Sequence, residues 1–227
     1  MSNNCVYSGM KKLLLYLASV ILIYSCADGQ TSSSKNDFAA VPKPAAGEQV
    51  ATFGGGCFWS MGEAISELKG VHKVVAGFAG GSTKNPSYED VCTRTTGHAE
   101  VVQVYYDPQV ISFGSLAQGF FFAHDPTTLN RQGPDEGTDY RSIAFYRTPQ
   151  EKAELEKAVA VVNASKHYSG KVVTQIQPFK VFYPADKYHQ GYYKTHMDNP
   201  YIAAVSAPKV MKFRKAMKTY LKPEYQK

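Results

Sequence analysis

A strand that turns directly into a helix is written into residues 50–68, and a single cysteine marks the turn. Val50-Ala51-Thr52-Phe53 has the β-branched and apolar character of a strand. Gly54-Gly55-Gly56 allows the backbone to turn sharply and leaves the next side chain uncovered. Phe58 to Leu68 then sets Met61, Ala64, Ile65 and Leu68 on one helical face. Cys57 therefore falls beside the first free N–H groups of a helix. That end of a helix favours negative charge, which predicts a lowered thiol pKa and a nucleophilic sulfur. Phe58 and Trp59 supply an apolar wall next to it. Two other readings stand beside this one. A cysteine among aromatics is often a small buried hydrophobe. Three glycines before a helix also suit a phosphate cradle, but no Lys-Ser or Lys-Thr pair follows them.

The N-terminus has a different character. Lys11-Lys12 precede an apolar run from Leu13 to Tyr24 that ends at Ser25-Cys26. A charged segment and a short apolar one describe a secretory signal, too short for a comfortable membrane span. Ile23-Tyr24-Ser25-Cys26 resembles a bacterial lipobox, whose cysteine is acylated and becomes the mature N-terminus. Tyr24 departs from the small or aliphatic residue usual there. The expectation is a signal over 1–25, a flexible tether over 26–47 rich in Ser, Ala, Pro and Lys, and one domain over 48–227. A lipid on Cys26 would hold the protein to a membrane of the cell envelope. Cleavage nearby, an uncleaved anchor and a start at Met10 are the alternatives.

A chain of 227 residues with 44% hydrophobic content supports one well-packed domain. Its net charge is +6, yet no basic block of nucleic-acid type occurs. Lys209 to Lys218 alternates with apolar residues as an amphipathic helix with a solvated face does. Of four cysteines, Cys5 would leave with the signal and Cys26 would carry lipid, so Cys57 and Cys92 remain in the domain. Two cysteines in an exported domain do not make a disulfide scaffold. With no Cys-x-x-Cys and no close histidine pair, no metal site is expected.

Further elements follow in order. Val71 to Ala79 reads as a strand, Ser87 to Cys92 as a short helix, His98 to Tyr106 as a strand and Ser112 to Ala123 as a helix. A long polar loop runs from His124 to Asp139. A strand at Ser142 to Arg147 leads to Thr148-Pro149-Gln150-Glu151, a capping box with proline at the first helical position, and a helix to about Ser165. Val172 to Phe179 is another strand, and helices near Ala185 to Thr195 and Ala207 to Leu221 end the chain. The fold class is α+β, a single domain with a mixed sheet covered on one main face.

Glu100 is an acid in an otherwise apolar strand; buried, it would hold a proton at neutral pH, as a general acid must. Exposed on an edge, it would be an ordinary carboxylate. Tyr88, Tyr140 and Asp135 lie on or beside loops, where tyrosine hydroxyls can donate to a polar oxygen in an apolar pocket.

Gly56-Cys57-Phe58-Trp59, Gly77-Phe78-Ala79-Gly80-Gly81, Tyr88-Glu89-Asp90-Val91-Cys92, Thr96-Gly97-His98-Ala99-Glu100 and His124-Asp125-Pro126 carry a resemblance. Arg131-Gln132-Gly133, Gly137-Thr138-Asp139-Tyr140-Arg141-Ser142 and Tyr188-His189-Gln190 extend it. Together, over about Gln49 to Tyr201, they resemble the A-type peptide methionine sulfoxide reductases. The resemblance implies a two-layer α/β sandwich with a ferredoxin-like core, acting on the S epimer of methionine sulfoxide in proteins, in peptides or free. It places Cys57 as nucleophile and Glu100 as proton donor. It places Tyr88 and Tyr140 on the sulfoxide oxygen, Phe58 and Trp59 around the methyl group, and Asp135 as a polar group beside them. It implies no metal or organic cofactor, and a monomer is expected.

Many members of that family carry recycling cysteines in the C-terminal tail, and this chain has none after Cys92. An external reductant of thioredoxin or glutaredoxin type is therefore expected. Cys92, on a helix four residues after Tyr88, is expected to be a core residue. Two other functions compete: a thiol hydrolase built from Cys57, His98 and Glu100, and a lipoprotein module that binds apolar ligands without chemistry.

Overall fold

The computed structural model describes residues 37–226; the expected signal, Cys26 and the first part of the expected tether lie outside them. In chain order come β1 (Gln49–Gly54), α1 (Phe58–Ser66), β2 (Val71–Ala79), α2 (Tyr88–Cys92), β3 (Ala99–Tyr106) and α3 (Phe113–Phe122). Then follow β4 (Arg131–Gln132), β5 (Asp135–Glu136), β6 (Ile143–Tyr146), α4 (Pro149–Ser165), β7 (Gln175–Pro178) and β8 (Phe182–Pro184). α5 (Tyr192–Thr195) and α6 (Ala207–Ala216) close the series. Six strands form one sheet in the order β7-β6-β1-β3-β2-β8, with only β6 and β7 parallel. The sheet is mixed and the fold α+β, as expected.

β3 is central and buried along its whole length. Val102, Val104 and Tyr106 point into the main core with Phe53, Ile65, Phe120 and Leu155, beneath α1, α3 and α4. Ala99 and Val101 face the other way, into a smaller cluster with Ile143 and Phe145 that Phe179 and Phe182 close. Burial on both faces explains why β3 lacks a polar alternation. Phe53 stacks on Phe120 at 4.9 Å, and truncating such a ring costs about 3–5 kcal/mol.

Helix starts follow local chemistry. The Ser87 hydroxyl accepts from Asp90 N while the Asp90 carboxylate accepts from Ser87 N, a reciprocal cap. Thr148 caps α4 through Glu151 N at 3.1 Å, and Pro149 opens the helix as expected. Glu151, however, accepts from Arg147 N and not from the cap residue itself.

Several elements differ from expectation. The long polar loop contains the β4–β5 hairpin, turned by Gly133 at φ +67° and Pro134. The helix expected over 185–195 is divided by Gly191 at φ +64° into a 3₁₀ turn (Lys187–His189) and α5, and β8 precedes it as an edge strand. The last helix ends at Ala216 and continues as a 3₁₀ turn, Lys218–Tyr220. A π-helical turn, Ile202–Ser206, stands just before α6. Pro208 supplies no N–H to the preceding turn, and a wider turn accommodates that loss. Residues 37–47, the described end of the expected tether, run along the domain. Asp37 O accepts from Lys187 N, Ala39 N donates to Ala185 O, and Pro42 O accepts from the Tyr105 hydroxyl.

Candidate active site

The antiparallel pairing of β1 with β3 builds the site. Phe53 lies opposite Val102, so Glu100, two residues nearer the start of β3, comes level with the glycine run after β1. A Cβ on Gly54 would stand 2.6 Å from the Glu100 carbonyl oxygen; only glycine lets the strands approach there. Gly56 turns the chain at φ +78°, backed by the Gln132 side chain, and its N–H donates to Tyr140 O at 3.1 Å. Cys57 is thereby set at the N-cap of α1. Phe58 N, the first N–H of the helix, donates to Glu100 Oε2 at 2.9 Å.

That last bond reverses one expectation. The first N–H of the helix serves the carboxylate, and only the Trp59 N–H is left to favour the sulfur. Cys57 is 6% exposed, and burial, followed by the charge of Glu100, pushes its thiol pKa up. The Trp59 backbone and the Tyr201 hydroxyl pull in the other direction without overcoming it. The resting sulfur is a protonated thiol, not the activated thiolate that its helix position predicts. Glu100 is fully enclosed. Burial raises its pKa to about 8, against the pull of the Phe58 N–H. It holds a proton at neutral pH.

Around this pair, Tyr88 and Tyr140 are half-buried, and desolvation followed by Glu100 raises both hydroxyls; they remain proton donors. The Tyr88 ring packs on Phe58 at 6.4 Å. Asp135 accepts from the Tyr201 hydroxyl, whose oxygen lies 2.9 and 2.8 Å from its two carboxylate oxygens, and Tyr201 is near enough to Cys57 for each to shift the other's pKa. Lys209 holds Asp135 from the far side at 3.2 Å. Cys57, Glu100, Phe58, Trp59, Tyr88, Asp135 and Tyr140 therefore gather in one place. Cys26 lies outside the described residues.

Four further residues join them that the sequence reading did not single out. Tyr192 stacks on Trp59 at 4.0 Å and Tyr201 meets it edge-on at 6.0 Å. Trp59 Nε1 donates to His189 Nδ1 at 3.2 Å, so the other ring nitrogen carries the hydrogen and finds no protein acceptor. Burial holds His189 neutral, with its pKa lowered to about 4. Lys209 was expected on a solvated face and instead turns inward to Asp135. The Tyr188-His189-Gln190 block marked the right region, but neither periodicity nor spacing distinguishes these side chains.

The C-terminal segment that brings Tyr192, Tyr201 and Lys209 is fastened to α1 and the residue that follows it. Arg214 donates to both oxygens of the fully buried Glu67, at 2.8 and 2.6 Å. Like Lys209, it is not on a solvated face. Lys194 stands 3.7 Å from Glu63, whose pKa burial raises to about 7 against that lysine's pull, with Glu67 adding to the rise. A hollow of about 270 Å³ lies behind Phe58 and Trp59. Neither Cys57 nor Glu100 lines it, so it is not where the chemistry occurs. Among the described residues no three His, Cys, Asp or Glu side chains gather at coordinating distance.

Two other expectations fail. Cys92 is exposed rather than core, because the short α2 turns only Val91 fully inward. His98 is buried, but Gly81 N donates to its Nδ1 at 3.1 Å and Thr83 O lies 2.8 Å from its Nε2. Both nitrogens are committed to the backbone, which leaves none to activate Cys57 in a hydrolase.

The family model described as peptide methionine sulfoxide reductase matches residues 49–221. A protein named peptide methionine sulfoxide reductase MsrA from Polynucleobacter asymbioticus is 47% identical, over 77% of this chain and 92% of its own length. Another of that name, from Saccharolobus solfataricus, is 50% identical over 74% and 93%. Among solved structures, methionine sulfoxide reductase A of Corynebacterium diphtheriae superimposes with a TM-score of 0.61 at 30% identity, covering 72% of this chain and 90% of that one.

Proposed function

This chain belongs to the A-type peptide methionine sulfoxide reductases, and on that premise we propose how its residues carry the reaction. It is a peptide-methionine (S)-S-oxide reductase, returning oxidised methionine to methionine at the expense of thiols. The observation that carries the mechanism is a neutral buried carboxyl, Glu100, next to a buried thiol, Cys57.

A sulfoxide sulfur is electron-poor, and its oxygen leaves only when protonated. The methyl group rests against Phe58 and Trp59, while Tyr88 and Tyr140 donate to the oxygen. Glu100 gives its proton to that oxygen as the Cys57 sulfur attacks, and the proton lost by the thiol returns to the carboxylate. Sulfur–oxygen connectivity passes to the enzyme: thiol plus sulfoxide becomes Cys57 sulfenic acid plus thioether. Methionine sulfur gains two electrons and Cys57 loses two. One external thiol then forms a mixed disulfide with release of water, and a second displaces Cys57 as the thiol. A protein dithiol of thioredoxin type suits this pair of steps, since the chain has no cysteine after Cys92.

The test is direct. One equivalent of a methionine-sulfoxide peptide should leave a sulfenate that a dimedone-type trap fixes at Cys57, read by mass spectrometry. Cys57→Ser should abolish turnover, and Cys92→Ser should retain most of it. Turnover by Cys57→Ser, or a Cys57–Cys92 disulfide in place of a trappable sulfenate, overturns the scheme.

The export reading is supported by the sequence alone: Lys11-Lys12, the apolar run and Cys26 make this an acylated protein of a bacterial envelope. Cys26→Ala should release it from membranes or block its processing, with catalysis in detergent extracts unchanged. An intact N-terminus on a soluble wild type refutes it.

A further inference from the structure

From Ala207 to Lys222 the chain has six cations and no acid. Three of the six turn inward: Lys209 to Asp135, Arg214 to Glu67 and Lys222 to Ser66 O. The other three, Lys212, Lys215 and Lys218, are exposed, and none forms an ion pair with an acid among the described residues. At about 100° per residue Lys212 and Lys215 fall with Met211 on an arc of roughly 100° of α6, away from the buried Val210 and Phe213, and Lys218 follows in the 3₁₀ turn after the helix. Met211 is 60% exposed and Tyr220 40%. This is an outward face of lysines around large apolar groups.

The face begins at the site. Lys209, at the near end of α6, holds Asp135 beside Cys57. One turn on, Lys212 borders a hollow of about 150 Å³ with Phe122, His124 and Gln132, and Gln132 backs Gly56 next to the nucleophile. At the far end Met211, Lys215, Lys218 and Tyr225 border a second hollow of about 340 Å³, whose single acid is Glu224. The ten residues of α6 span about 15 Å, the scale of one face of a small protein docked over Cys57.

We propose that this face docks the protein dithiol that recycles Cys57, and that the partner carries acidic side chains around its reactive thiol. The proposal rests on the sulfenic-acid reading above. Oxidised substrate proteins share no particular charge, and the aromatic groups around Phe58 and Trp59 already recognise what they have in common. The reductant is the one macromolecule met in every cycle, so a fixed charged face suits it. Lysines arranged on a helix attract an acidic partner and raise its encounter rate, with the strong salt dependence of steered association. Met211, Tyr220 and the two hollows supply the contact area once it arrives.

The experiment uses the full chain with an acidic thioredoxin as reductant, over a range of NaCl concentrations. In wild type the KM for thioredoxin should rise with salt. Combining Lys212→Glu, Lys215→Glu and Lys218→Glu should raise that KM about tenfold or more at low salt, and the matching triple change to Gln a smaller amount. Dithiothreitol-driven turnover and the single-turnover sulfenate burst should stay at wild-type values in both, which also shows that the variants fold. An unchanged KM for thioredoxin overturns the proposal. So does an equal fall in the burst, which would make the face a substrate site, or binding of wild type to phosphatidylglycerol vesicles that the Glu changes abolish while the KM stays put. A wild type that forms no sulfenate refutes the reaction scheme instead, a failure the burst reads separately.

Discussion

Glu100→Gln separates catalysis from stability, because the structure asks one side chain to harm the second for the sake of the first. With a pKa of about 8, Glu100 is roughly nine-tenths protonated at pH 7. At the ordinary glutamate value of about 4.3 the protonated share would be roughly 1 in 500, so burial multiplies the available acid several hundredfold. Glutamine keeps the shape, an acceptor for Phe58 N and a donor for the sulfoxide oxygen, but has no proton to transfer. The single-turnover rate should fall by about 10²–10⁴. In wild type the rate limb that depends on the acid should decline above about pH 8, and this limb should be missing in the variant.

The same pKa works against folding. The folded state holds the Glu100 proton more tightly than the unfolded chain does. Stability from this group is therefore greatest below the unfolded pKa and is lost as pH rises from about 4.3 towards 8. At pH 7 the deficit is about 2.7 pKa units, or about 3–4 kcal/mol. Glu100→Gln removes it. The variant should be more stable than wild type at pH 7 by up to that amount in urea unfolding, and the difference should shrink to nothing near pH 4. A variant that is both less active and less stable at pH 7 would refute the assignment of a neutral, strained carboxyl.

Iodoacetamide at pH 7 should modify the exposed Cys92 at least tenfold faster than Cys57, measured by peptide mapping; preferential labelling of Cys57 would mean that its thiol is ionised at rest. Tyr201→Phe removes the hydroxyl that Asp135 accepts from, beside Cys57, and should lower kcat/KM roughly tenfold, the worth of about 1.5 kcal/mol for a hydrogen bond to a charged group. No change would reduce Tyr201 to a packing residue. Arg214→Ala strands Glu67 in the interior and should cost about 3 kcal/mol of stability, with part recovered when Glu67→Gln is added; a neutral result in denaturant unfolding would show that the pair is not buried in solution.

What could be read from the chain and what could not divides along a physical line. β1, the glycine run and α1 are set by neighbours a few residues apart, so their order and the position of Cys57 were legible. So was Glu100, because an acid among valines in a strand is conspicuous. Tyr88, Tyr140 and Asp135 came from the family resemblance and not from periodicity. The protonation of Cys57 was misread because it depends first on burial and then on Glu100, which takes the Phe58 N–H from 42 residues further on. Lys209 and Arg214 were misread because a 3.6-residue pattern marks an apolar face but says nothing of cations that point along it to a buried acid. Tyr201 reaches Asp135 across 66 residues, beyond any local signal. β8 is three residues long, too short to show an alternation.

The protonated, enclosed state of Cys57 also decides what the enzyme ignores. A protein that works where methionine is being oxidised is surrounded by peroxides, and these consume thiolates. Sulfur held as a thiol at 6% exposure offers them little to attack. In the scheme proposed above it reacts when a sulfoxide stands beside it and Glu100 exchanges its proton for the thiol's. The burial that makes Cys57 a poor nucleophile at rest is therefore a filter between oxidants: the site answers to oxygen already bound to methionine and is spared by the free oxidant that put it there.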